Sequence, residues 1–223
     1  MSKRKPIIAF LGTDGSGKTT IMQAVLPDLE KRIGKRFIIQ HLKPDLLLPL
    51  GRLRGVKHEA GWICTNPHGS KPSGFLGSCF RLAYLTLDYV LGYWFKVRPN
   101  TKSPDVAGWI FDRYAYDMLI DPRRFRLKLP QWVIKMALAV IPKPDVVVCL
   151  GGDAEKIHAR KPETSVEEVR RQVAELKKFC DGNNRSVWID TTTTIEDSCN
   201  AAMAAIGKWD YDFCHKERKG RKD

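Results

Sequence analysis

Acidic residues are scarce in this sequence: 25 Asp and Glu stand against 38 Lys and Arg, a net charge of +13 over 223 residues. Such an imbalance argues against a basic partner and for an anionic one, whether a phosphorylated small molecule, nucleic acid or acidic lipid. Part of the excess lies in residues 2–5 (SKRK) and 216–223 (KERKGRKD), expected to be solvated tails, the second starting at about residue 215. Charge parked in tails speaks against a specific nucleic-acid surface. Paired cysteines are absent as well: the six thiols at 64, 79, 149, 180, 199 and 214 form no Cys-x-x-Cys, and several sit in apolar stretches where a free thiol acts as a small hydrophobe. A familiar zinc spacing is thereby excluded, since His58, Cys64 and His68 lack a fourth ligand, and a reduced, cytoplasmic protein is expected. Long uncharged apolar runs are missing too. Residues 75–97 (FLGSCFRLAYLTLDYVLGYWFKV) come nearest, but Arg81 and Asp88 interrupt them, whereas a spanning helix needs ~20 apolar residues with few or no charges. No signal peptide is expected either, because the apolar run after the basic start is short and ends among glycines.

What the sequence does have is a dense glycine cluster near its start. Residues 10–25 read FLGTDGSGKTTIMQAV, an apolar strand entering a turn of small residues and then a helix. Gly12, Gly15 and Gly17 can adopt backbone angles closed to other residues, so that successive N–H groups curl around one anion while the following helix aims its positive end at it. The spacing Gly12-x-x-x-x-Gly17-Lys18-Thr19 is the P-loop pattern, in which the lysine reaches the β/γ-phosphates and the adjacent hydroxyl ligates magnesium.

The rest of the chain alternates strands and helices. A helix is expected from Thr19 to about Ile33, a strand over 36–41, and a long irregular basic region over 42–74, of the kind that is usually functional. A buried helix over 75–97 follows, in which Arg81, Tyr84 and Asp88 share one face; this polar stripe either looks into a binding cleft or forms an internal Arg–Asp pair. Strands are expected at 109–112 (WIFD), 144–150 (PDVVVCL) and 186–190 (SVWID). Helices are expected at 129–141, with an apolar face through Val133, Met136, Ala137 and Val140, at 154–160, from the capping box at Ser165 to about Phe179, and at 194–209. The alternation predicts a single α/β domain over 1–223 with a parallel sheet covered on both faces, its ligands lying beyond the carboxyl ends of the strands.

Three further features bear on chemistry. Phe111–Tyr114 (FDRY) places an acid at the end of an apolar strand, where magnesium or an acceptor hydroxyl is held, beside an arginine able to grip a phosphate bidentately. Arg160 and Lys161 lie in a basic break between two helices, suited to a lid over a transferring phosphoryl group or to a solvated hairpin. Residues 121–126 (DPRRFR) carry Arg123, Arg124 and Arg126, suited to an anionic acceptor or to surface decoration. One motif is absent: residues 101–104 (TKSP) lack the acid of a GTPase guanine reader.

Together FLGTDGSGKTT, FDRY, PDVVVCL, the basic break and VWIDTT resemble the thymidylate kinase-like branch of nucleoside monophosphate kinases, over most of the chain. The resemblance implies a three-layer P-loop kinase fold with a five-stranded parallel sheet, helices on both faces and a lid over about 153–181. It implies transfer of the ATP γ-phosphoryl group to a nucleoside monophosphate, thymidylate by default, with magnesium. By position, Gly12, Thr13, Asp14, Gly15, Ser16, Gly17, Lys18, Thr19 and Thr20 would hold ATP phosphates, Thr19 and Asp112 magnesium, and Thr191 and Thr192 the adenine side. Lys18, Asp112, Arg113, Arg160 and Lys161 would be the catalytic set. Arg81, Asp88, Tyr114, Arg123 and Arg124 are candidates for the acceptor. The implied partner is a small-molecule phosphate acceptor, with a homodimer and peripheral contact with an anionic membrane as open possibilities.

The sequence also departs from the family. Typical members carry a Thr-Arg-Glu-Pro-Gly-Gly-like segment where this chain reads HLKPDLLLPLGRLRG, and a serine and tyrosine-glutamine pair where it reads AYDMLIDPRRFR. In this it is similar to divergent kinase-like members, some associated with bacterial surface-polysaccharide gene clusters. A sugar or other hydroxyl acceptor, with Asp112 as base, is therefore one alternative, and a nucleotide-gated binding protein is another.

Overall fold

A computed structural model of the chain describes residues 5–47, 74–100 and 103–219, with side chains to residue 207 in the last helix. The candidate metal residues His58, Cys64 and His68, most of the basic region 42–74 and the extreme ends lie outside the described residues.

Five parallel strands form one sheet in the order β2-β3-β1-β4-β5: β1 (Ile7–Gly12), β2 (Arg36–His41), β3 (Val106–Asp112), β4 (Val146–Gly151) and β5 (Ser186–Asp190). β1 and β4 are buried along their whole length, as apolar runs in the middle of a parallel sheet must be. Because side chains alternate along a strand, β1 feeds two separate cores. Ile7, Ala9 and Leu11 pack with Trp109 and Phe111 beneath α2 (Phe75–Gly92), α4 (Gln131–Val140) and α6 (Val166–Asp181). Ile8 and Phe10 pack with Ile110 and Val148 beneath α1 (Lys18–Ile33) and α7 (Ile195–Lys219). The short helices α3 (Asp117–Ile120) and α5 (Ala154–Arg160) lie on the return paths from β3 and β4. Among the described residues no helix is long and apolar enough to cross a membrane.

Several local expectations change on contact with the structure. α2 does not run unbroken to Val97: it passes at Tyr93–Val97 into a π-helical turn and then a last helical turn at Arg98–Asn100. The apolar face expected for α4 is rotated, since Ile134 and Leu138 are its buried residues while Met136 and Val140 point to solvent. The capping box is half made: Ser165 Oγ accepts from the Glu168 amide, but the Glu168 carboxylate turns to Arg171 and Gln172. α7 continues to Lys219, so the basic end expected as a free tail begins inside a helix.

Asp88 requires the largest correction. Its carboxylate neither looks into a cleft nor pairs with Arg81; it is fully buried, accepting from Lys43 Nζ at 2.5 Å and from the Leu46 and Leu47 amides at 2.9 and 2.8 Å. It thereby pins the segment after β2 onto α2, where the bare Cα of Gly92 makes room for Pro44. Burial acts to lower the Lys43 pKa, but the bonds to Asp88 and Asp45 together outweigh it and the ammonium titrates above its usual range. Removing one member of a buried pair leaves the other charge uncompensated, at about 3–5 kcal/mol. Asp88→Ala is therefore expected to lower the unfolding free energy by about that amount in urea titrations, and a loss within experimental error of zero would contradict the assigned role.

Candidate active site

All five strands end on one edge of the sheet, and β1 sits at the switch point, between β3 on one side and β4 on the other. The glycine turn emerges there. Gly15 and Gly17 take left-handed φ values of 83° and 78°, and Gly17 is the N-cap of α1 without a side-chain capping bond. The first-turn amides of α1, from Lys18 to Thr20, have no carbonyl a turn behind them and so face outward unpaired within the helix. Side chains would obstruct the turn: a Cβ on Gly12 would come within 2.4 Å of Ser16 Oγ, and one on Gly15 within 2.5 Å of the Ile157 carbonyl. The Thr13 and Ser16 hydroxyls are buried and lack a hydrogen-bond partner, as does Asp112 Oδ1. Outward amides, unpaired hydroxyls and a positive helix end fit an anion with several oxygens.

Lys18 lies buried inside the turn, its Nζ donating to the carbonyls of Gly12 at 2.9 Å and Thr13 at 2.7 Å. Burial, and after it the charge of Arg113, lower its pKa from the ordinary 10.5 to about 7. Neutral carbonyls are weak compensation for a buried ammonium.

Beside it lies a set of paired charges. Asp14 accepts from Arg113 at 2.5 Å and from Arg124 at 3.0 Å, and Arg113 also donates to Asp117 at 3.1 Å and to the Gly12 carbonyl at 3.3 Å. Although burial acts in the opposite direction, the two guanidiniums hold the Asp14 carboxyl well below the usual carboxylate range. Arg113 has a φ of 75°, rare for a residue with a side chain, and its amide is fixed to the Phe10 carbonyl at 2.9 Å. The strained backbone turns the guanidinium back over the glycine turn.

Asp112 ends β3 in register with Phe10 of β1 and His41 of β2. His41 Nδ1 lies 3.4 Å from Asp112 Oδ2. Burial acts to raise the Asp112 pKa, but the His41 hydrogen bond and the Lys18 charge outweigh it and keep the carboxyl ionised. Neither His41 nor Asp117 stood out in the sequence. The β2–β3 register would have revealed His41, and a four-residue step from Arg113 along the chain would have revealed Asp117.

Of the two cations in the basic break, Lys161 ion-pairs with Glu163 at 3.1 Å, and its Cβ is 3.2 Å from where a Gly15 Cβ would stand, which seats the break directly against the turn. Arg160 is the exposed last residue of α5. Thr191 is buried with its amide and hydroxyl both on the Gly151 carbonyl, while Thr192 bonds Asp190. Thr19 and Thr20 are exposed on the first turn of α1.

The acceptor candidates divide. Arg124 joins the cluster through Asp14, whereas the exposed Arg123 instead reaches Glu168 of α6 at 3.7 Å. Tyr114 is a core residue, not an acceptor contact: its ring packs edge-on against Tyr89 and Phe111 and its hydroxyl donates to the Pro142 carbonyl. Arg81 is half-buried on α2, and neighbouring Tyr84 lies 6.3 Å, ring to ring, from Phe80. The face they were expected to share with Asp88 is thus divided. Among the described residues no group of three or more His, Cys, Asp or Glu is placed to hold a metal.

No family model matches the chain, and no curated protein matches it in sequence. Among solved structures, thymidylate kinase from Ehrlichia chaffeensis is similar, with a TM-score of 0.59 over 90% of this chain and 98% of that one at 14% identity. Identity that low shows the fold alone, and the fold is that of a P-loop kinase of the thymidylate kinase type: a five-stranded parallel sheet with helices on both faces.

Proposed function

We propose that the chain, as one domain with a lid over about 153–181, is a magnesium-dependent, cytoplasmic phosphotransferase that moves the ATP γ-phosphoryl group to a small-molecule acceptor, by default the nucleoside monophosphate dTMP. The observation that carries this is the buried ammonium of Lys18, enclosed by a turn of outward amides and unpaired hydroxyls and flanked by the Asp14–Arg113–Arg124 set.

The turn from Gly12 to Thr20 would bind the phosphates through its amides, and Lys18 would leave its carbonyl partners to lie against the transferred group. Thr19 and the free oxygen of Asp112 suit a magnesium ion bound chiefly through phosphates and water, as its preference for few protein ligands requires. Bound there, magnesium would neutralise charge on the phosphoryl group in flight. Arg113, held over the turn, would grip an acceptor phosphate; Arg160 and Lys161 would close over the site and exclude water. Thr191 and Thr192 would flank the base.

One observation favours a second acceptor class. Arg113 and Arg124 are already neutralised by Asp14 and Asp117, and Asp112 carries a buried oxygen without a partner, an arrangement suited to taking the proton of an acceptor hydroxyl. ADP release measured against a panel of nucleoside monophosphates and sugars separates the two classes. A nucleoside monophosphate that raises release well above the ATP-only rate establishes the first, and stimulation by sugars alone establishes the second.

Lys18→Ala is expected to reduce turnover by about a thousandfold or more with the melting temperature preserved; unchanged turnover would contradict the proposal. Arg113→Lys is expected to raise the acceptor KM at least tenfold while that for ATP changes little, and equal effects on both would remove Arg113 from the acceptor. A third expectation concerns protons. With its pKa lowered from 10.5 to about 7, Lys18 binds fewer protons folded than unfolded in that interval, so its contribution makes the free protein more stable as pH rises through it. A bound polyphosphate reverses the shift, so MgATP binding at pH 8.5 should take up a proton that Lys18→Ala does not. Calorimetry in buffers of different ionisation enthalpy reads this directly, and binding without uptake would show that Lys18 does not meet the phosphates.

A further inference from the structure

Among the described residues, the outer surface of α2 and α4 carries most of the exposed aromatic side chains. Along α2 and its π-helical extension, Leu76, Phe80, Leu87 and Trp94 recur at steps of four and seven and are 82%, 60%, 48% and 50% exposed. These steps keep one face of a helix. Phe95, in the π-helical turn, extends the surface at 69% exposure. On α4, Trp132, Met136 and Val140 make a second stripe at four-residue steps, each about two-thirds exposed. Both helices bury their inner residues in the same core on the same face of the sheet, so their outer stripes look the same way. Aromatic side chains offer ~150–250 Å² each, so the half to two-thirds exposure of Phe75, Phe80, Trp94, Phe95 and Trp132 alone amounts to ~500 Å². With the aliphatic residues the surface passes the ~300–600 Å² of the largest patch on a typical monomer.

Charge identifies the occupant. The only acid in α2, its extension or α4 is Asp88, which is fully buried. Exposed Arg98, stacked over Trp94 at 4.4 Å, and exposed Lys128, Lys135 and Lys143 border the stripes. Among the described residues, acids flank the stripes at two places: Glu175 of α6 meets Gln131 at 3.5 Å, and Asp45, beside Lys43, sits where the segment after β2 lies on α2. A two-fold pairing with a second copy would set this cationic border against itself with little carboxylate to offset it. A nucleic acid would match the border but leave aliphatic Leu76, Leu87, Met136 and Val140 without a partner. An anionic bilayer satisfies both parts: aromatic and aliphatic side chains enter at headgroup depth while lysine and arginine meet the phosphates.

We propose that the α2/α4 face docks the protein on the surface of a membrane containing anionic lipid, leaving the strand-end edge with the glycine turn open to solutes. The inference does not depend on the proposed transfer reaction. It is tested by sedimenting the full chain with vesicles of equal parts phosphatidylcholine and phosphatidylglycerol, and with vesicles of phosphatidylcholine alone. Binding to the anionic vesicles only is expected, weakening steeply with salt. Phe80→Ser with Phe95→Ser, and separately Lys135→Glu with Lys143→Glu, should each weaken it about tenfold or more while melting temperature and MgATP binding stay unchanged. Failure to bind anionic vesicles overturns the proposal. So does concentration-dependent dimerisation in analytical ultracentrifugation that the Phe80/Phe95 variant abolishes, which would assign the face to a second copy, and so does tighter binding to an oligonucleotide than to the vesicles. Loss of nucleotide binding in the wild-type chain, with vesicle binding retained, would instead defeat the transferase proposal and leave this one standing.

Discussion

A buried ammonium whose hydrogen bonds go only to carbonyls, with its nearest carboxylates committed elsewhere, is an unfinished interaction, and the candidate site is arranged around that fact. Lys18 is held inside the turn between β1 and α1 by the Gly12 and Thr13 carbonyls, which orient its charge but do not neutralise it. Desolvation makes this costly, as the fall of its pKa to about 7 records. An anion with several oxygens would resolve the deficit, and the turn offers such an anion unpaired amides, two unpaired hydroxyls and a helix end. The sheet brings the remaining parts together. Parallel strands deliver Asp112 and His41 to the same edge, and the strained Arg113 folds back over the turn because Asp14 and Asp117 hold its guanidinium.

Charge is closely balanced beside the turn. Arg113 and Arg124 face Asp14 and Asp117, and the Lys18 charge acts on Asp112. On the proposed reading, an acceptor bound here would have to exchange existing ion pairs for new ones, so its affinity would depend on differences between strong interactions and be sensitive to single substitutions. The donor side has fewer internal partners and more unpaired groups, which is why the geometry supports phosphate binding more directly than it identifies the acceptor.

Much of the fold was legible because the signals were local. Turn-forming residues bounded most of the apolar runs, so β2 and β5 fall at the expected residues and β4 within two, while β3 begins three residues earlier than expected and the helix between Ala154 and Arg160 stops where Pro162 requires. The glycine turn was legible for the same reason. What was not legible depends on which side chains meet across the sheet. Asp88 looked like a cleft residue by helical phase and became a buried anchor because Lys43 and two loop amides converge on it. Tyr114 lay next to Arg113 in sequence, yet the left-handed backbone at Arg113 sends the neighbouring ring into the core. The α4 stripe was misphased because Met136 and Val140, apolar by type, face outward on a surface whose apolar character is itself the exception.

The central claim is that the glycine turn is built for a polyphosphate. Equilibrium binding of inorganic tripolyphosphate with magnesium to the folded chain, followed by displacement with ATP, tests it most directly because it isolates the turn from base and acceptor recognition. The account predicts saturable one-to-one binding that ATP displaces and that is lost in Lys18→Ala. Absence of saturable binding of either tripolyphosphate or ATP to well-folded protein would contradict it.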